Sequence, residues 1–328
     1  MRIAITGGAG YIGSMLAGVL LANGHDVAVI DRLLFGGDAI SGYLAHPRFA
    51  FHRLDVSEAD LSAALSGAEV VYHLAAIVGF PACQEIGEAA AYRFNTDATR
   101  RVFEAAERSG ARRFVFASTY SNYGVATDGR PVNEESPLCP QSLYARTKIA
   151  AEEFLRGQTH SPCAVVIPRF TTLFGVSPRT RFDLIVNQFV LEALTQRRLV
   201  IYQGNYTRSF VHVRDVVRAL ELFAEAPDEK VGGQIFNVGS VGGNHTKAEI
   251  VEMIREAIPA VEIEHRDLTF GGDMRDVAVD CQKIRDRLGF RPEWSVRDGI
   301  AEVRDAITSG LIGDPHSQRL RNHAPILQ

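Results

Sequence analysis

The first thirteen residues restrict the fold of this 328-residue chain more than any other part of it. Arg2–Thr6 is a short apolar run that leads straight into Thr6-Gly7-Gly8-Ala9-Gly10-Tyr11-Ile12-Gly13. Glycines at 7, 10 and 13, after a strand and at the opening of a helix, permit a tight turn, close backbone approach to a pyrophosphate, and tight helix–sheet packing. Phosphates placed there face the unpaired N–H groups of the first helical turn, where Tyr11 and Ile12 lie. The second strand, Asp26–Ile30, is closed by Asp31, 24 positions after Gly7. A carboxylate at that point accepts hydrogen bonds from both ribose hydroxyls and repels a 2′-phosphate. The pattern points to NAD rather than NADP, with Arg32 the one residue arguing the other way.

The alternation continues. Ala50–Leu54, Val70–Leu74, Arg113–Ala117 and Cys163–Pro168 read as strands, and Tyr11–Ala22, Leu61–Leu65, Asp97–Arg108 and Leu143–Leu155 as helices between them. Such a rhythm implies an α/β fold, a Rossmann-like doubly wound parallel sheet with helices on both faces. Past Phe170 it breaks into the helix Leu184–Leu194, the strand Leu199–Tyr202, the helix Val213–Ala224, the strand Gln234–Val238, and the helices Lys247–Ala257 and Cys281–Leu288. The expected organisation is a dinucleotide-binding domain over residues 1–170 with return segments near 209–240. A smaller, interleaved and discontinuous C-terminal α/β substrate lobe then covers 171–310. The tail 311–328 (His316, Gln318, Arg321, Asn322) lacks periodicity and is expected to be extended or mobile.

Composition narrows the partners. A formal net charge of −4, with basic residues in runs no longer than a pair, gives no reason to expect nucleic acid or an anionic membrane. The longest apolar stretch, Val70 to Phe80, contains His73 and is too short to span a bilayer. Glycines interrupt the amino terminus before a signal-peptide core could form. Cys83, Cys139, Cys163 and Cys281 show no metal-ligand spacing, so no metal is expected and the thiols read as free, in a cytoplasmic protein.

Two further segments carry chemistry. Phe114-Val-Phe-Ala-Ser118-Thr119-Tyr120-Ser121 is a strand ending in hydroxyls, and Tyr144-Ala-Arg-Thr-Lys148 puts a phenol and an ammonium on one face of a helix. A nearby ammonium favours the phenolate form, which makes Tyr144 a usable general base. With these residues the sequence resembles the extended short-chain dehydrogenase/reductases, specifically the NAD-dependent nucleotide-sugar epimerase/dehydratase family, from Thr6 to about Trp294.

The resemblance implies that Thr119 hydrogen-bonds the reacting sugar oxygen, Tyr144 exchanges its proton, and Lys148 binds the nicotinamide ribose. It also implies that Asp55 and Val56 lie by the adenine and that Leu74, Ala75 and Ala76 line the cofactor. Asn95 matches the family's recurring asparagine, the alternative reading being a helix N-cap. Arg208 and Arg275 look like the two arginines that hold a nucleoside diphosphate, chemistry suited to bidentate guanidinium pairing. A homodimer through the helices near Asp97–Arg108 and Leu143–Leu155 is a further family expectation.

Two departures shape the reading. Thr172 stands where the family usually carries asparagine, and the distinctive stretch after it makes Asn187 and Arg179 candidate substrate contacts. Tyr120-Ser121 stands where 4,6-dehydratases of this family carry an acidic pair. The expected activity is therefore epimerisation of a nucleoside-diphosphate sugar, at C4 through a transient 4-keto sugar. The alternatives are a 4-ketoreductase or dehydrogenase, a 4,6-dehydratase, and a regulator that binds NAD without chemistry.

Overall fold

The computed structural model describes residues 1–126, 129–240, 242–266 and 276–322. Its strands are β1 (Arg2–Thr6), β2 (Asp26–Ile30), β3 (Phe49–His52), β4 (Val70–His73), β5 (Arg113–Phe116), β6 (Ser118–Thr119) and β7 (Ala164–Phe170). They continue as β8 (Thr172–Phe174), β9 (Arg198–Tyr202), β10 (Thr207–His212), β11 (Gln234–Val238), β12 (Asn244–Thr246) and β13 (Glu262–Arg266). The main sheet runs β3-β2-β1-β4-β5-β7-β11 with every pair parallel, and β6 extends the hydroxyl-bearing strand end along β7. Ile3–Ile5, Val70–Tyr72 and Phe114–Phe116 are buried, as central strands covered by helices on both faces must be.

Strand order reverses between β1 and β4. The loops leaving these neighbours diverge, and the crevice between them is where such sheets bind ligands. After β8 the chain builds a second lobe from two small sheets, β12-β10-β8 and β13-β9, under the helices Ile185–Thr195, Lys247–Ala257 and Val296–Thr308. Its separate core includes Phe182, Val186, Leu199, Ile254 and Ile300. Between these parts the helix Val213–Glu225 packs on Tyr11–Ala22, and β11 joins the edge of the main sheet, so the lobes interleave.

The differences from the sequence reading lie mostly in this second lobe. Strands β8, β10, β12 and β13 are three to six residues long, and Ile263 is the single apolar residue of β13. They carry too little apolar pattern to stand out. Val296–Thr308 announces itself only by its capping box, in which Ser295 accepts from the Asp298 amide at 3.2 Å and Asp298 accepts from the Ser295 amide at 2.8 Å. In the first domain, Ala98–Arg108 is preceded by a π-helical turn, Arg93–Asp97, that continues the short helix Glu88–Tyr92. The segment after Gly310 is exposed over much of 311–319 but docks on the lobe near its described end, where the Phe182 amide donates to the Leu320 carbonyl at 2.8 Å.

Ser295→Ala removes a cap from the longest helix of the second-lobe core. It should lower unfolding free energy by about 1 kcal/mol in urea titration, with the m-value unchanged.

Candidate active site

The glycine loop is shaped for close backbone approach. Gly7 has φ +73°, and a Cβ on it would sit 2.7 Å from the Ala75 amide nitrogen; a Cβ on Gly13 would collide with the Gly7 carbonyl. The bare loop therefore fits between β1 and the turn after β4 and opens directly into the helix Tyr11–Ala22. Asp31 braces it: Oδ2 accepts from the Ala9 amide at 3.0 Å and Oδ1 from the Leu33 amide at 2.8 Å. Burial pushes its carboxyl pKa up and the two amides pull it back. Each oxygen keeps a second acceptor site for a ribose hydroxyl. Arg32 Nη1 lies 2.9 Å from Asp55 Oδ2, so its cation is already matched rather than waiting for a 2′-phosphate. These residues fit a dinucleotide without the extra phosphate.

A continuous cleft of about 720 Å³ joins this cradle to the hydroxyl-bearing strand end. Gly7, Gly10, Tyr11, Ile12, Gly13, Asp31, Arg32, Asp55 and Val56 line one end with Leu74, Ala75 and Ala76; Thr119, Tyr120, Tyr144, Lys148 and Thr172 line the other.

Ser142 starts the helix Leu143–Arg156 by accepting from the Ala145 amide at 3.2 Å, which places Tyr144 in its first turn. One turn on, buried Lys148 donates to the Ala117 carbonyl at 2.8 Å, next to the strand end that carries Thr119. Burial pushes the Lys148 pKa down to about 8, with Cys83 and Glu152 opposing the shift. Thr119 Oγ1 donates to Ser121 Oγ at 3.0 Å and accepts from the Ser121 amide at 3.1 Å. The Tyr120 hydroxyl lies 2.7 Å from Thr172 Oγ1.

Beneath this floor lies a network that sequence reasoning missed. Glu152, a further turn along the helix, accepts from Ser118 Oγ, from Asn122 Nδ2 at 2.8 Å, and from Arg169 Nε and Nη2 at 3.0 and 2.6 Å. Arg169 also donates to the Tyr123 hydroxyl at 3.0 Å, which donates to Asn237 Oδ1 on β11 at 2.7 Å. The available signal was a glutamate four positions after Lys148 and an arginine inside an otherwise apolar strand.

Other expected site residues sit elsewhere. Asn95 is not an N-cap and does not line the cleft. It lies in the π-turn, accepts from the Ile77 amide at 2.8 Å and donates to Thr147 Oγ1 at 3.1 Å, tying the turn after β4 to the tyrosine-bearing helix. Asn187, expected at the substrate, is buried instead, bonded at 3.0 Å to the Gly175 amide and to the Gly175 and Arg181 carbonyls. All of its amide groups hold the loop after β8, and none faces the cleft. Arg208 is buried on β10 opposite His245 and does not line the cleft among the described residues. Arg275 lies outside the described residues. Arg179 does line the cleft, as does the unforeseen pair Arg181–Asp183, bonded through Nε–Oδ1 at 3.2 Å and Nη2–Oδ2 at 2.6 Å.

A glycine-cradled dinucleotide cleft that ends at a threonine, a tyrosine and a lysine defines an NAD-dependent enzyme of the extended short-chain dehydrogenase/reductase class. The chain belongs to the NAD dependent epimerase/dehydratase family, which it matches over residues 3–239. It is 33% identical to the low-salt glycan biosynthesis protein Agl12 of Haloferax volcanii, over 93% of this chain and 98% of that protein. It is 31% identical to a UDP-glucose 4-epimerase of Mycolicibacterium smegmatis, over 92% and 97%. The structure of UDP-glucuronic acid 4-epimerase from Bacillus cereus with UDP-glucuronic acid and NAD superposes with a TM-score of 0.83 at 27% identity, over 94% of this chain and 99% of that one. Relatives named as dTDP-glucose 4,6-dehydratases and UDP-glucuronic acid decarboxylases match as well.

The buried charges make two measurable demands. Arg169→Met leaves the Glu152 carboxylate buried without its partner and should cost about 3–5 kcal/mol, with part of the loss recovered by adding Glu152→Leu, as read by denaturant unfolding. Lys148 has a folded pKa of about 8 against 10.5. The unfolded chain therefore binds more protons between those values, and the penalty for burying the ammonium is relieved as pH rises through that window. Stability of the NAD-free protein relative to Lys148→Met should rise between pH 7.5 and about pH 10 in the same assay.

Proposed function

We propose that this protein is a nucleoside-diphosphate-sugar epimerase that inverts the sugar at C4 through a transient 4-keto sugar. The observation that carries the reading is the set of groups around Thr119: Tyr144 and Lys148 on one helix face the cleft with Thr119, and the neighbouring positions hold Tyr120 and Ser121 rather than carboxylates. Bound NAD supplies reversible two-electron oxidation at the sugar carbon.

The chain's own groups manage the oxygen. Tyr144 takes the proton of the C4 hydroxyl as the carbonyl forms and returns it as the hydroxyl is restored. Lys148, held by the Ala117 carbonyl, keeps positive charge beside that proton transfer and a donor toward the nicotinamide ribose. Thr119, fixed by its two bonds to Ser121, holds the oxygen while the carbon passes from tetrahedral to trigonal and back. Inversion then requires the keto sugar to present its other face while the diphosphate stays anchored in the substrate lobe, where the family resemblance points to Arg275.

A 4,6-dehydratase must also lose water across C5 and C6, which calls for an acid and a base beside that bond. Among the described residues, the cleft carboxylates do not serve. Asp31 and Asp55 stand at the dinucleotide end, and Arg181 holds the Asp183 carboxyl below the usual carboxylate range, bound and ionised. This favours return of the hydrogen to C4 over elimination.

Purified protein with UDP-, dTDP-, GDP- and CDP-sugars in D2O, followed by NMR with no added cofactor, should show C4 inversion without deuterium uptake. A 6-deoxy-4-keto product or deuterium at C5 would reject the epimerase reading, and turnover only with added NADH would replace it with a ketoreductase. Tyr144→Phe should lower turnover by about 10²–10⁴-fold while NAD remains bound.

A further inference from the structure

Two of the cleft's guanidiniums are paired with carboxylates within it, Arg32 with Asp55 and Arg181 with Asp183. Arg179 differs. Its side chain is 5% exposed and lines the cleft, yet its hydrogen bonds go to neutral acceptors of the C-terminal segment. Nε donates to the Arg319 carbonyl at 3.1 Å, Nη1 to Asn322 Oδ1 at 2.6 Å, and Nη2 to the Arg321 carbonyl at 3.3 Å. Burial and then the neighbouring Arg181 cation push its pKa down to about 10, and Asp183 and Asp31 offset this only in part. Among the described residues no carboxylate is bonded to this guanidinium, and taking it out of water on neutral acceptors alone is costly. An anion entering the cleft removes that cost, and each terminal nitrogen still has a second N–H for a bidentate grip.

Position says which anion. The guanidinium carbon lies 4.0 Å from the ring centroid of Phe35, in the loop that follows Asp31, which puts the charge over the dinucleotide half of the cleft. The C-terminal segment is fastened on both sides of that half. On the substrate lobe the Phe182 amide donates to the Leu320 carbonyl at 2.8 Å, and Arg321 Nη1 donates to the Phe182 carbonyl at 3.2 Å. On the first domain Arg319 Nη1 lies 3.2 Å from Asp38 Oδ2, at the start of the short helix that follows the Phe35 loop. Asn322 itself lines the cleft.

We infer that Arg179, held by the segment Arg319–Asn322, is a pyrophosphate site for the dinucleotide, and that this segment is a clasp that slows release of NAD. The glycine loop meets the pyrophosphate with backbone amides, and Arg179 adds the charge that loop lacks. Because Arg179 is held by the segment, a change there acts on the cofactor even when the guanidinium itself is unaltered.

The test measures ligand binding rather than turnover. ADP-ribose, which carries the pyrophosphate, and adenosine, which does not, are titrated by calorimetry into NAD-stripped wild type, Arg179→Met, Asn322→Ala, and a chain ending at His316. NADH dissociation is followed by its fluorescence. Arg179→Met should weaken ADP-ribose by about 10–100-fold and leave adenosine within about twofold, the loss expected for hydrogen bonds to a charged group. Asn322→Ala and the shortened chain should release NADH several-fold faster. Unchanged ADP-ribose affinity in Arg179→Met with a raised KM for the sugar nucleotide would reassign the guanidinium to the substrate and overturn the inference. Wild-type NADH release from both C-terminal variants would remove the clasp, and these two carry that part of the test if Arg179→Met does not fold.

Discussion

The active site rests on one buried ion pair, Glu152 with Arg169. It joins the helix carrying Tyr144 and Lys148 to β7, and through Ser118 and Asn122 it reaches the strand end and turn that carry Thr119. Through Tyr123 and Asn237 it continues to β11, the strand returned by the second lobe. Replacing such a pair with apolar residues is often neutral for stability, so stability alone does not account for it. What it does provide is register. A carboxylate and a guanidinium bonded twice over fix the helix along its axis and about it, and the distance from Tyr144 to Thr119 is set by that placement.

The cleft above it is electrostatically settled before ligands arrive. Arg32 is turned toward Asp55, Arg181 toward Asp183, and Asp31 toward the glycine loop it must hold open. Preformed pairs of this kind need not reorganise when a dinucleotide and a sugar nucleotide enter, so binding energy goes to positioning rather than rearrangement. Arg179 and Lys148 are the exceptions, each bonded to neutral acceptors. Lys148 is buried against Phe116 and the Ala117 carbonyl, one helical turn from Tyr144.

The legibility of each feature depended on how local its signal is. The glycine loop, Asp31 and the Tyr144–Lys148 spacing are short-range patterns that constrain the backbone directly, and the parallel sheet appeared from apolar runs that need no partner to be recognised. Glu152 and Arg169 are 17 residues apart and each looks like an ordinary charge; only the fold reveals that they are buried together. Asn187 failed for a related reason. An asparagine in a distinctive stretch suggests a ligand contact, but the backbone groups it satisfies belong to Gly175 and Arg181, and such pairing cannot be seen before the loop is built. The docking of residues 317–322 was hidden because several of its bonds use main-chain carbonyls and its side-chain partners lie far off in sequence.

The same tyrosine and lysine can serve several outcomes, because oxidation at C4 is only the first half of a reaction. The second half depends on the groups that stand over C5 and C6 once the ketone has acidified the neighbouring position. An acid and a base there lead to elimination, and a carboxylate on the sugar itself leads to its loss. In this chain the Tyr120 and Thr172 hydroxyls bond to each other across the floor beside Thr119. Under the proposed function, these two neutral hydroxyls stand in place of the acid and base that elimination needs. In the epimerase proposed above, the keto sugar takes hydrogen back at C4, and its stereochemistry is set by which face it then presents.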